Sequence, residues 1–233
     1  MGHGDARAVA ALRPDAQWSL RLPGGASDEV WADLLRRATG DLAGPILTEL
    51  PDALSPTRLD ALQTLGFQPA RTEQHWSIPL RRLPPITLDS HQLVHVTACD
   101  PAAVAELDNA IRADIPGTEH WQGTTDDLLA SLDDEAFDPQ LYLIARHRAS
   151  GALDGLIRVW NNPEAPRLGC LGVRRRWRRT RLAAALVAAV VDVLADRGVP
   201  VLTTETDSAN ADSHAMAARV GGTTRMVTEW QRR

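Results

Sequence analysis

The sequence contains no lysine and only two cysteines, so all 25 of its basic residues other than histidine are arginine. Cys99 and Cys170 are far apart and lack the closely spaced pairing of a disulfide framework or a zinc site. We therefore expect two free thiols and no bound metal.

The sequence also lacks an apolar stretch long enough to cross a bilayer. The longest one, residues 182–195, contains Asp192 and is too short. The residues after Met1 show no apolar segment of the kind that signal peptides carry. With 233 residues, of which 44% are hydrophobic, the chain can form a buried core. These features predict a globular protein of the cytoplasm that binds no membrane.

The net charge of -5 argues against nucleic acid as the main partner, because phosphate backbones are bound by basic surfaces. One short segment departs from this average. Six arginines fall within eight positions: Arg174, Arg175, Arg176, Arg178, Arg179 and Arg181. This density marks the segment as the first place to look for an anion.

The chain divides most naturally at residues 81–85, Arg-Arg-Leu-Pro-Pro, because consecutive prolines exclude both helix and central strand. We therefore predict an N-terminal segment of residues 1–85 and a larger domain of residues 86–233. Hydrophobic periodicity in the larger part predicts a strand, two helices, three strands, a helix, a strand, a helix and a strand. This order predicts an α/β (α+β) fold.

The N-terminal segment repeats a shortened version of this order. Its pattern predicts strands at residues 18–22, 45–49 and 71–80 and helices at 28–38 and 56–65, which matches the second half of the larger domain. It has no counterpart of the arginine cluster. With about 80 residues it can form only a small core, so we expect a structural half-copy that binds no cofactor and is not stable alone.

The arginine cluster lies between a predicted strand, residues 168–173, and a long apolar helix that begins at residue 182. The first turn of a helix has N–H groups without internal partners, and a pyrophosphate can bind there with help from nearby arginines. The segment therefore has the features of an anion-binding turn. The alternative is a solvated basic loop.

Residues 173–186, Val-Arg-Arg-Arg-Trp-Arg-Arg-Thr-Arg-Leu-Ala-Ala-Ala-Leu, resemble the acyl-CoA-binding motif of the GNAT superfamily of N-acyltransferases. Residues 178–183 are most similar to the variant Arg-Gly-x-Arg-Leu-Gly of actinobacterial tandem-GNAT proteins related to mycothiol synthase. Arg179 stands where that variant has glycine. The segments 203–210 and 114–118 resemble the family's second cofactor segment and its acceptor loop, so the resemblance extends from Ile86 to the end.

The resemblance implies the GNAT fold, a mixed and mostly antiparallel sheet flanked by helices, here preceded by a partial degenerate repeat. It implies that two strands splay apart to admit the acyl-pantetheine arm of acetyl-CoA, the co-substrate. Gly169 and Gly172 would allow the bulge that such splaying needs. The cofactor-binding residues implied are Leu171, Gly172, Val173, Arg178, Arg179, Thr180, Arg181, Leu182, Ala183, Asn210 and Ser213.

The implied chemistry is attack of an amine on a thioester, which needs a base and an oxyanion donor. The backbone N–H groups of Leu171 and Val173 are the implied donors. For the base we favour Glu205, with Glu119, His120 and Asp114 as alternatives. For Glu205 and His120 the simpler interpretations are a strand-end carboxylate paired with an arginine and an exposed loop residue.

Many GNAT enzymes protonate the leaving sulfur with a tyrosine at the position that Ala217 occupies here. The only tyrosine of the chain, Tyr142, is expected to be a core residue. We therefore predict an N-acetyltransferase acting on an unidentified small-molecule amine and leave open a homodimer. The alternative is a catalytically inactive acyl-CoA-binding or regulatory module. Arg179 and Ala217 favour it, and so does Arg181, which replaces the central glycine of the general family motif Arg/Gln-x-x-Gly-x-Gly/Ala.

Overall fold

The computed structural model describes residues 7–118 and 120–233. These residues form ten β-strands and six α-helices. The first six elements are β1 (Val9–Leu12), β2 (Trp18–Arg21), α1 (Asp28–Asp41), β3 (Ile46–Pro51), α2 (Pro56–Thr64) and β4 (Gln68–Pro79). The others are β5 (His91–His95), α3 (Pro101–Arg112), α4 (Thr125–Leu132), β6 (Tyr142–His147), β7 (Leu153–Trp160), β8 (Arg167–Val173), α5 (Leu182–Asp196), β9 (Val201–Asp207), α6 (Ala211–Arg219) and β10 (Thr223–Arg232). From β5 onward this is the predicted order.

The helices begin where local capping chemistry allows them to. In α3 the Asp100 carboxylate accepts a hydrogen bond from the Ala102 N–H, and proline occupies the first helical position. Helix α4 opens with a reciprocal capping box between Thr124 and Asp127. These side chains satisfy N–H groups that have no partner within the helix, so the start of each helix is encoded within a few residues.

The chain forms two compact units. Unit 1 comprises residues up to Gln74 together with Arg225–Arg233, and unit 2 comprises His75–Thr224. In unit 1, β1 pairs antiparallel with β2, β2 pairs parallel with β3, and β3 pairs antiparallel with the end of β10. The buried side chains of its core are Leu20, Trp31, Leu35, Ile46, Leu50, Leu62 and Phe67. The C-terminal strand therefore belongs to the core region that the N-terminal segment builds.

In unit 2 the strands follow the order β9-β8-β7-β6-β5. Strands β5 to β8 pair antiparallel with their neighbours, and β8 pairs parallel with β9. One face packs against α3 and α4 through a core that includes Leu107, Ile111 and Cys170. The other face packs against α5 through Leu182, Leu186 and other apolar side chains. The mixed, mostly antiparallel sheet flanked by helices confirms the predicted fold class.

The order of elements repeats along the chain. β2, α1, β3, α2 and β4 follow one another as β8, α5, β9, α6 and β10 do. The first two strands of each set are paired in parallel, through Trp18 and Ile46 in one and Arg167 and Thr203 in the other. The shared order is what the sequence comparison of the two halves predicts, and the shared parallel pairing is a further similarity that the structure adds.

Two features differ from the sequence-based picture. Strand β1 has no predicted counterpart, because its four residues, Val-Ala-Ala-Leu, are all exposed and show no alternation.

The compact units also do not divide at residue 85. The Trp76 indole donates to Thr206 Oγ1 over 2.9 Å and the Leu80 N–H donates to the Pro200 carbonyl, which ties residues 75–80 into unit 2. The division into domains at residue 85 stays a prediction.

Helix α5 is apolar because it is buried on much of its circumference. Leu182, Leu186, Val190 and Leu194 are each at most 1% exposed and lie at helical spacing against the sheet of unit 2. In the described part of the chain, every helix falls short of the length and apolarity that a membrane span requires.

Candidate active site

Strands β8 and β9 run together for only a short distance. Their parallel pairing consists of Arg167 with Thr203 and Leu168 with Thr204, although β8 continues to Val173 and β9 to Asp207. Beyond Leu168 the two strands therefore part and leave a gap between their carboxyl ends. We refer to this opening between residues 169–173 and 205–207 as the β8/β9 gap. Such a gap exposes backbone groups that a neighbouring strand would otherwise occupy.

A bulge in β8 coincides with the start of this gap. Arg158 pairs with Cys170 and Val159 pairs with Leu168, so Gly169 is an extra residue in β8. A Cβ atom on Gly169 would come within 2.8 Å of Trp160 Nε1, and one on Gly172 would clash with Ile111 Cγ2. Both positions therefore require glycine, for packing reasons, where the sequence predicts a bulge.

The bulge also decides which backbone groups of β8 face the gap. The Arg174 N–H donates to the Asp154 carbonyl in β7 over 2.8 Å. Because successive residues of a strand turn their N–H and C=O groups to opposite sides, those of Leu171 and Val173 point away from β7. They consequently face the gap, as the sequence analysis expects of an oxyanion donor and a pantetheine contact.

Helix α5 starts next to this gap with its first turn uncapped. Side chains cap α1, α2, α3, α4 and α6, whereas α5 follows Arg181 without a side-chain cap. The Thr180 hydroxyl accepts only the Leu182 N–H, at 3.3 Å. The N–H groups of Ala183 and Ala184 have no partner among residues 7–118 and 120–233. A helix start of this kind can receive a phosphate group.

The arginines that precede α5 are held by carboxylates of other elements. Arg175 and Arg178 both bond to Asp114, in the loop after α3, and the Arg178 guanidinium lies 2.6 Å from the carboxylate. Arg176 pairs with Asp154, whose side chain is fully buried. Arg181, in contrast, is exposed. Arg175, Arg176 and Arg178 are therefore anchored by carboxylates although their side chains reach the surface, and Arg181 points to solvent.

Arg179 has a backbone conformation that disfavours its side chain. Its φ of 62° lies in the left-handed region, which side chains of L-residues rarely adopt. This is the position at which the related motif has glycine. Glycine adopts a positive φ readily, so the backbone at this position is of the kind that favours glycine.

Replacing Arg179 with glycine is expected to raise the free energy of unfolding by about 0.5–1 kcal/mol. The left-handed conformation costs an ordinary residue about 1–2 kcal/mol, and the greater chain entropy of glycine offsets part of that gain. Urea unfolding of both proteins measures the difference. Arg181→Gly is the matched control, because Arg181 has a φ of -79° and its replacement should not stabilise. A less stable Arg179→Gly protein would contradict the argument.

The other predicted cofactor residues lie around the same turn and at α6. Leu182 is 1% exposed and, with the half-buried Ala183, packs into the core beneath α5. Asn210 caps α6 by accepting the Ser213 N–H over 3.1 Å. The structure therefore brings the residues from Leu171 to Ala183 together along β8 and the start of α5. The cofactor contacts of Asn210 and Ser213 stay predictions.

Glu205, the favoured base, lies on β9 at the edge of the gap. Both of its carboxylate oxygens bond to the Arg167 guanidinium, at 2.9 and 2.8 Å. Arg167 is on β8, so this bidentate pair links the two strands where their pairing ends. The simpler interpretation of Glu205, a strand-end carboxylate paired with an arginine, is thus observed, and its role as a base stays a prediction.

The alternatives for the base lie in the loop after α3. His120 is exposed, and Glu119 lies outside the described residues. The hydrogen bond from Arg175, reinforced by the charge of Arg178, holds the pKa of Asp114 at about 2, below its ordinary value of 3.8. A carboxylate with so low a pKa is a poor base near neutral pH, so Asp114 acts here as an anchor for arginines.

The two positions at which a tyrosine acid was considered, Tyr142 and Ala217, are both buried. Tyr142 is 1% exposed, and burial raises the pKa of its hydroxyl group. It lies in the core against α3, as the sequence analysis expects. Ala217, at the position where many relatives have tyrosine, is also 1% exposed. A hydroxyl with a raised pKa is a weak acid, and alanine has no proton to give, so neither position supplies an acid for the leaving sulfur.

The sequence analysis overlooked two charged side chains of β7. Asp154 is fully buried and contacts His91 Nε2 at 3.2 Å in addition to Arg176. Arg158 lies half-buried between the rings of Tyr142 and Trp160. The available signal was the presence of these two charged residues inside an otherwise apolar strand, since such residues seldom enter a core without a partner.

Known proteins are similar to this chain in family and in fold. The chain matches the model of the acetyltransferase (GNAT) family over residues 105–222. A GCN5-related N-acetyltransferase from Sphaerobacter thermophilus is 20% identical, with a TM-score of 0.71 over 97% of this chain and 75% of that one. A tandem GNAT protein from the clavulanic acid biosynthesis pathway is 16% identical, with a TM-score of 0.65 over 100% of this chain and 80% of that one. No curated protein sequence matches the chain.

A sheet that opens between β8 and β9, with an uncapped helix start beside the opening, is the arrangement that the resemblance to the GNAT superfamily implies. The chain belongs to the acetyltransferase (GNAT) family, because the family model covers just over half of it. The family supports acyl transfer as the class of reaction. At identities of 20% and 16% the solved structures show the fold alone.

Proposed function

We propose that this protein is an acetyl-CoA-dependent N-acetyltransferase that transfers an acetyl group to the amine of a small-molecule acceptor. The observation that carries the proposal is the parting of β8 from β9 after Leu168, which turns the N–H groups of Leu171 and Val173 into an open gap. Donors fixed in this way stabilise an oxyanion without reorganising as the reaction proceeds.

The start of α5 fits the pyrophosphate of acetyl-CoA. The uncapped N–H groups of Ala183 and Ala184 supply hydrogen-bond donors, and the exposed Arg181 supplies charge. Arg178 would exchange its bond with Asp114 for the phosphate, or share it. Arg179 and Thr180 complete the turn, so the phosphate contacts are proposed for residues 178–183.

The reaction requires a neutral amine, whose nitrogen attacks the thioester carbonyl and loses a proton. We propose Glu205 as the base, because its carboxylate lies at the edge of the gap in an orientation fixed by Arg167. Glu119 and His120 remain the alternatives from the acceptor loop. The thiolate that departs takes a proton from Ser213 or water, since an ordinary thiol is a fair leaving group.

A catalytically inactive acyl-CoA-binding or regulatory module is the second candidate. Ala217 favours it, because this buried alanine replaces the tyrosine that many relatives use as an acid. The strained Arg179 favours it as well. A module of this kind would bind acetyl-CoA and release no CoA in the presence of any amine.

Several finer predictions rest on composition and resemblance and stay proposals. These predictions are that the protein lies in the cytoplasm, that it binds neither nucleic acid nor membranes, that it needs no metal, and that it is related to the mycothiol synthase group. The repeated order of elements supports descent from a tandem GNAT protein. A homodimer remains open.

Calorimetric titration with acetyl-CoA, followed by thiol release with a panel of primary amines, tests the proposal. We expect one binding site per chain, and we expect the double variant Arg178→Ala/Arg181→Ala to bind about tenfold more weakly. Its affinity should also depend less on salt concentration, because fewer charges contact the phosphates.

The matched control is Arg148→Ala/Arg219→Ala, which removes the same charge from exposed positions outside the turn. If the two double variants bind acetyl-CoA with equal affinity, the assignment of its pyrophosphate to residues 178–183 is wrong. In the same assay, Glu205→Gln is expected to lower kcat strongly, and His120→Ala only slightly. The reverse outcome would transfer the role of base to the acceptor loop.

A further inference from the structure

Arg158 is a half-buried cation without a hydrogen-bond acceptor. Its guanidinium carbon lies 5.6 Å from the ring centroid of Tyr142 and 5.0 Å from that of Trp160. Its Nε atom is buried and unpartnered, and its guanidinium donates to no residue in the described part of the chain. A buried cation is costly unless an anion accompanies it, so this arrangement calls for an explanation.

The neighbouring arginines on this side of the sheet each have a carboxylate. Arg112, on α3, bonds to both oxygens of Asp108, at 3.1 and 3.0 Å. Arg167, on β8, is paired with Glu205. Arg158 differs from both although it lies between them in the fold, on β7 opposite Cys170.

The surrounding side chains do not neutralise Arg158. Burial raises the pKa of the Cys170 thiol to about 11 and also raises the pKa of Tyr142, so both groups are uncharged at neutral pH. The Asp108 carboxylate is already engaged by Arg112. The group of Asp108, Arg112 and Arg158 therefore has one positive charge in excess.

The two aromatic rings hold the guanidinium plane while leaving its N–H groups available. A planar guanidinium fixed in this way matches a carboxylate, which can accept two parallel hydrogen bonds. The buried Tyr142 hydroxyl has no hydrogen-bond partner in the described part of the chain, so it can donate to a group that Arg158 holds. One excess charge and a few neutral donors suit a monoanion such as a carboxylate better than a phosphate dianion.

The position of Arg158 connects this arrangement with the gap. Cys170, its partner in the strand register, is the first residue of β8 after the bulge at Gly169, where β8 has left β9. Arg158 and Trp160 are two residues apart in β7, so their side chains lie on the same face of the sheet. That face carries Tyr142 and Cys170, which pack with α3. A small molecule that reaches the gap from this face would meet Arg158.

We propose that the acceptor carries a carboxylate group, as an amino acid does, and that Arg158 receives this carboxylate beside the β8/β9 gap. This proposal rests on the proposed function in one respect, namely that an acceptor amine enters the gap. The carboxylate contact would fix the distance between the amine and the donor N–H groups of β8, and it would exclude simple amines that lack the anion.

Binding of reaction products tests the proposal without requiring turnover. The probes are the N-acetyl derivatives of the twenty standard amino acids and the matching N-acetyl amino acid amides, titrated into the full chain by calorimetry at pH 7.5. At least one acid should bind about tenfold more tightly than its amide, as expected for a charge-assisted pair of hydrogen bonds. Inorganic phosphate is titrated alongside.

The variants locate the contact. Arg158→Gln should abolish the preference for the acid, Arg158→Lys should keep part of it, and the exposed control Arg148→Gln should keep all of it. Within residues 7–118 and 120–233 the Arg158 guanidinium has no acceptor, so its replacement by glutamine breaks no hydrogen bond there. Arg158→Lys keeps a cation beside the Tyr142 and Trp160 rings and controls for the loss of those contacts, and the melting temperatures of all variants are compared. The result that overturns the proposal is equal binding of every acid and its amide, a preference that survives in Arg158→Gln, or binding of phosphate through Arg158 without any acid.

The two proposals can fail separately. If the protein neither binds nor consumes acetyl-CoA but shows the acid preference through Arg158, the proposed function is wrong and the carboxylate site stands. If it acetylates amines and amino acids alike in an Arg158-independent way, the function stands and the carboxylate site is wrong. In an active enzyme, Arg158→Gln should raise KM for the acid acceptor about tenfold more than it lowers kcat.

Discussion

Replacing Asp154 with alanine is expected to lower the free energy of unfolding by about 3 kcal/mol, the largest effect we predict for a single substitution. Asp154 is fully buried and bonds to both His91 and Arg176. Removing one partner of a buried ion pair leaves the others desolvated and uncompensated. The Arg176 side chain is 62% exposed, so water can solvate it once Asp154 is removed. The loss of stability should therefore lie at the lower end of the range expected for breaking a buried ion pair.

Chemical unfolding of Asp154→Ala, Asp154→Asn and the exposed control Asp89→Ala measures this effect. The asparagine variant should lose less, because its side chain has the same shape and can still bond to His91. The control should change stability by no more than about 0.5 kcal/mol. A stability of Asp154→Ala equal to that of the control would show that the buried contacts contribute nothing.

The interest of Asp154 lies in what it anchors. His91 also contacts the Ser90 hydroxyl at 2.9 Å and packs edge-on against the Trp177 ring at 4.5 Å. Trp177 belongs to the turn that carries the arginines, so this network fixes the base of the turn while Arg178 and Arg181 stay at the surface. Loss of the network should consequently weaken acetyl-CoA binding as well as stability.

The sequence predicts the fold well where several local signals agree. Helix α5 combines an apolar repeat at helical spacing with a C-terminal glycine, and Gly198 does adopt the positive φ of a helix C-cap, at 73°. The bulge at Gly169 is predictable for the same reason, since few strands tolerate two glycines without one. Patterns of this kind depend on residues close together in the chain.

The partners of charged side chains depend instead on strand register, which local patterns do not supply. Arg167 and Glu205 are 38 residues apart, and His91 and Asp154 are 63 apart. The sequence allows Glu205 to be a base or half of an ion pair, and only the alignment of β8 with β9 places Arg167 against it. One aromatic neighbour of Arg158, Trp160, is two residues away on the same strand, but the other, Tyr142, is recognised only once β6 and β7 are aligned.

The compact units depend on contacts that are more distant still. Strand β10 pairs with β3 over Val227 to Arg232, so residues at the two ends of the chain build one core. A linker signal such as the prolines at 84 and 85 reports where the backbone is extended and does not report which strands pair. The predicted boundary at residue 85 therefore marks where the repeated order of elements starts again, and it does not coincide with the division between the two compact units.

A chain that begins at Ile86 is expected to aggregate or to melt well below the full-length protein. In unit 1 the truncation removes β3, the hydrogen-bond partner of Val227 to Arg232, together with nearly all of the buried core around Trp31 and Phe67. In unit 2 it removes Trp76, which is 6% exposed and bonded to Thr206. Strands left without partners expose N–H and C=O groups that pair with other molecules.

Size-exclusion chromatography and thermal unfolding compare the truncated and full-length proteins, and co-expression of residues 1–85 as a separate chain is the control. The added fragment should restore solubility, because it returns β3 to the C-terminal strand and Trp31 to its core. The turn at residues 178–183 lies entirely within the truncated chain, so any soluble fraction should still bind acetyl-CoA. A soluble, monomeric truncation with an unchanged melting temperature would contradict the prediction, since the C-terminal strand would then be shown to need no partner from the first 85 residues.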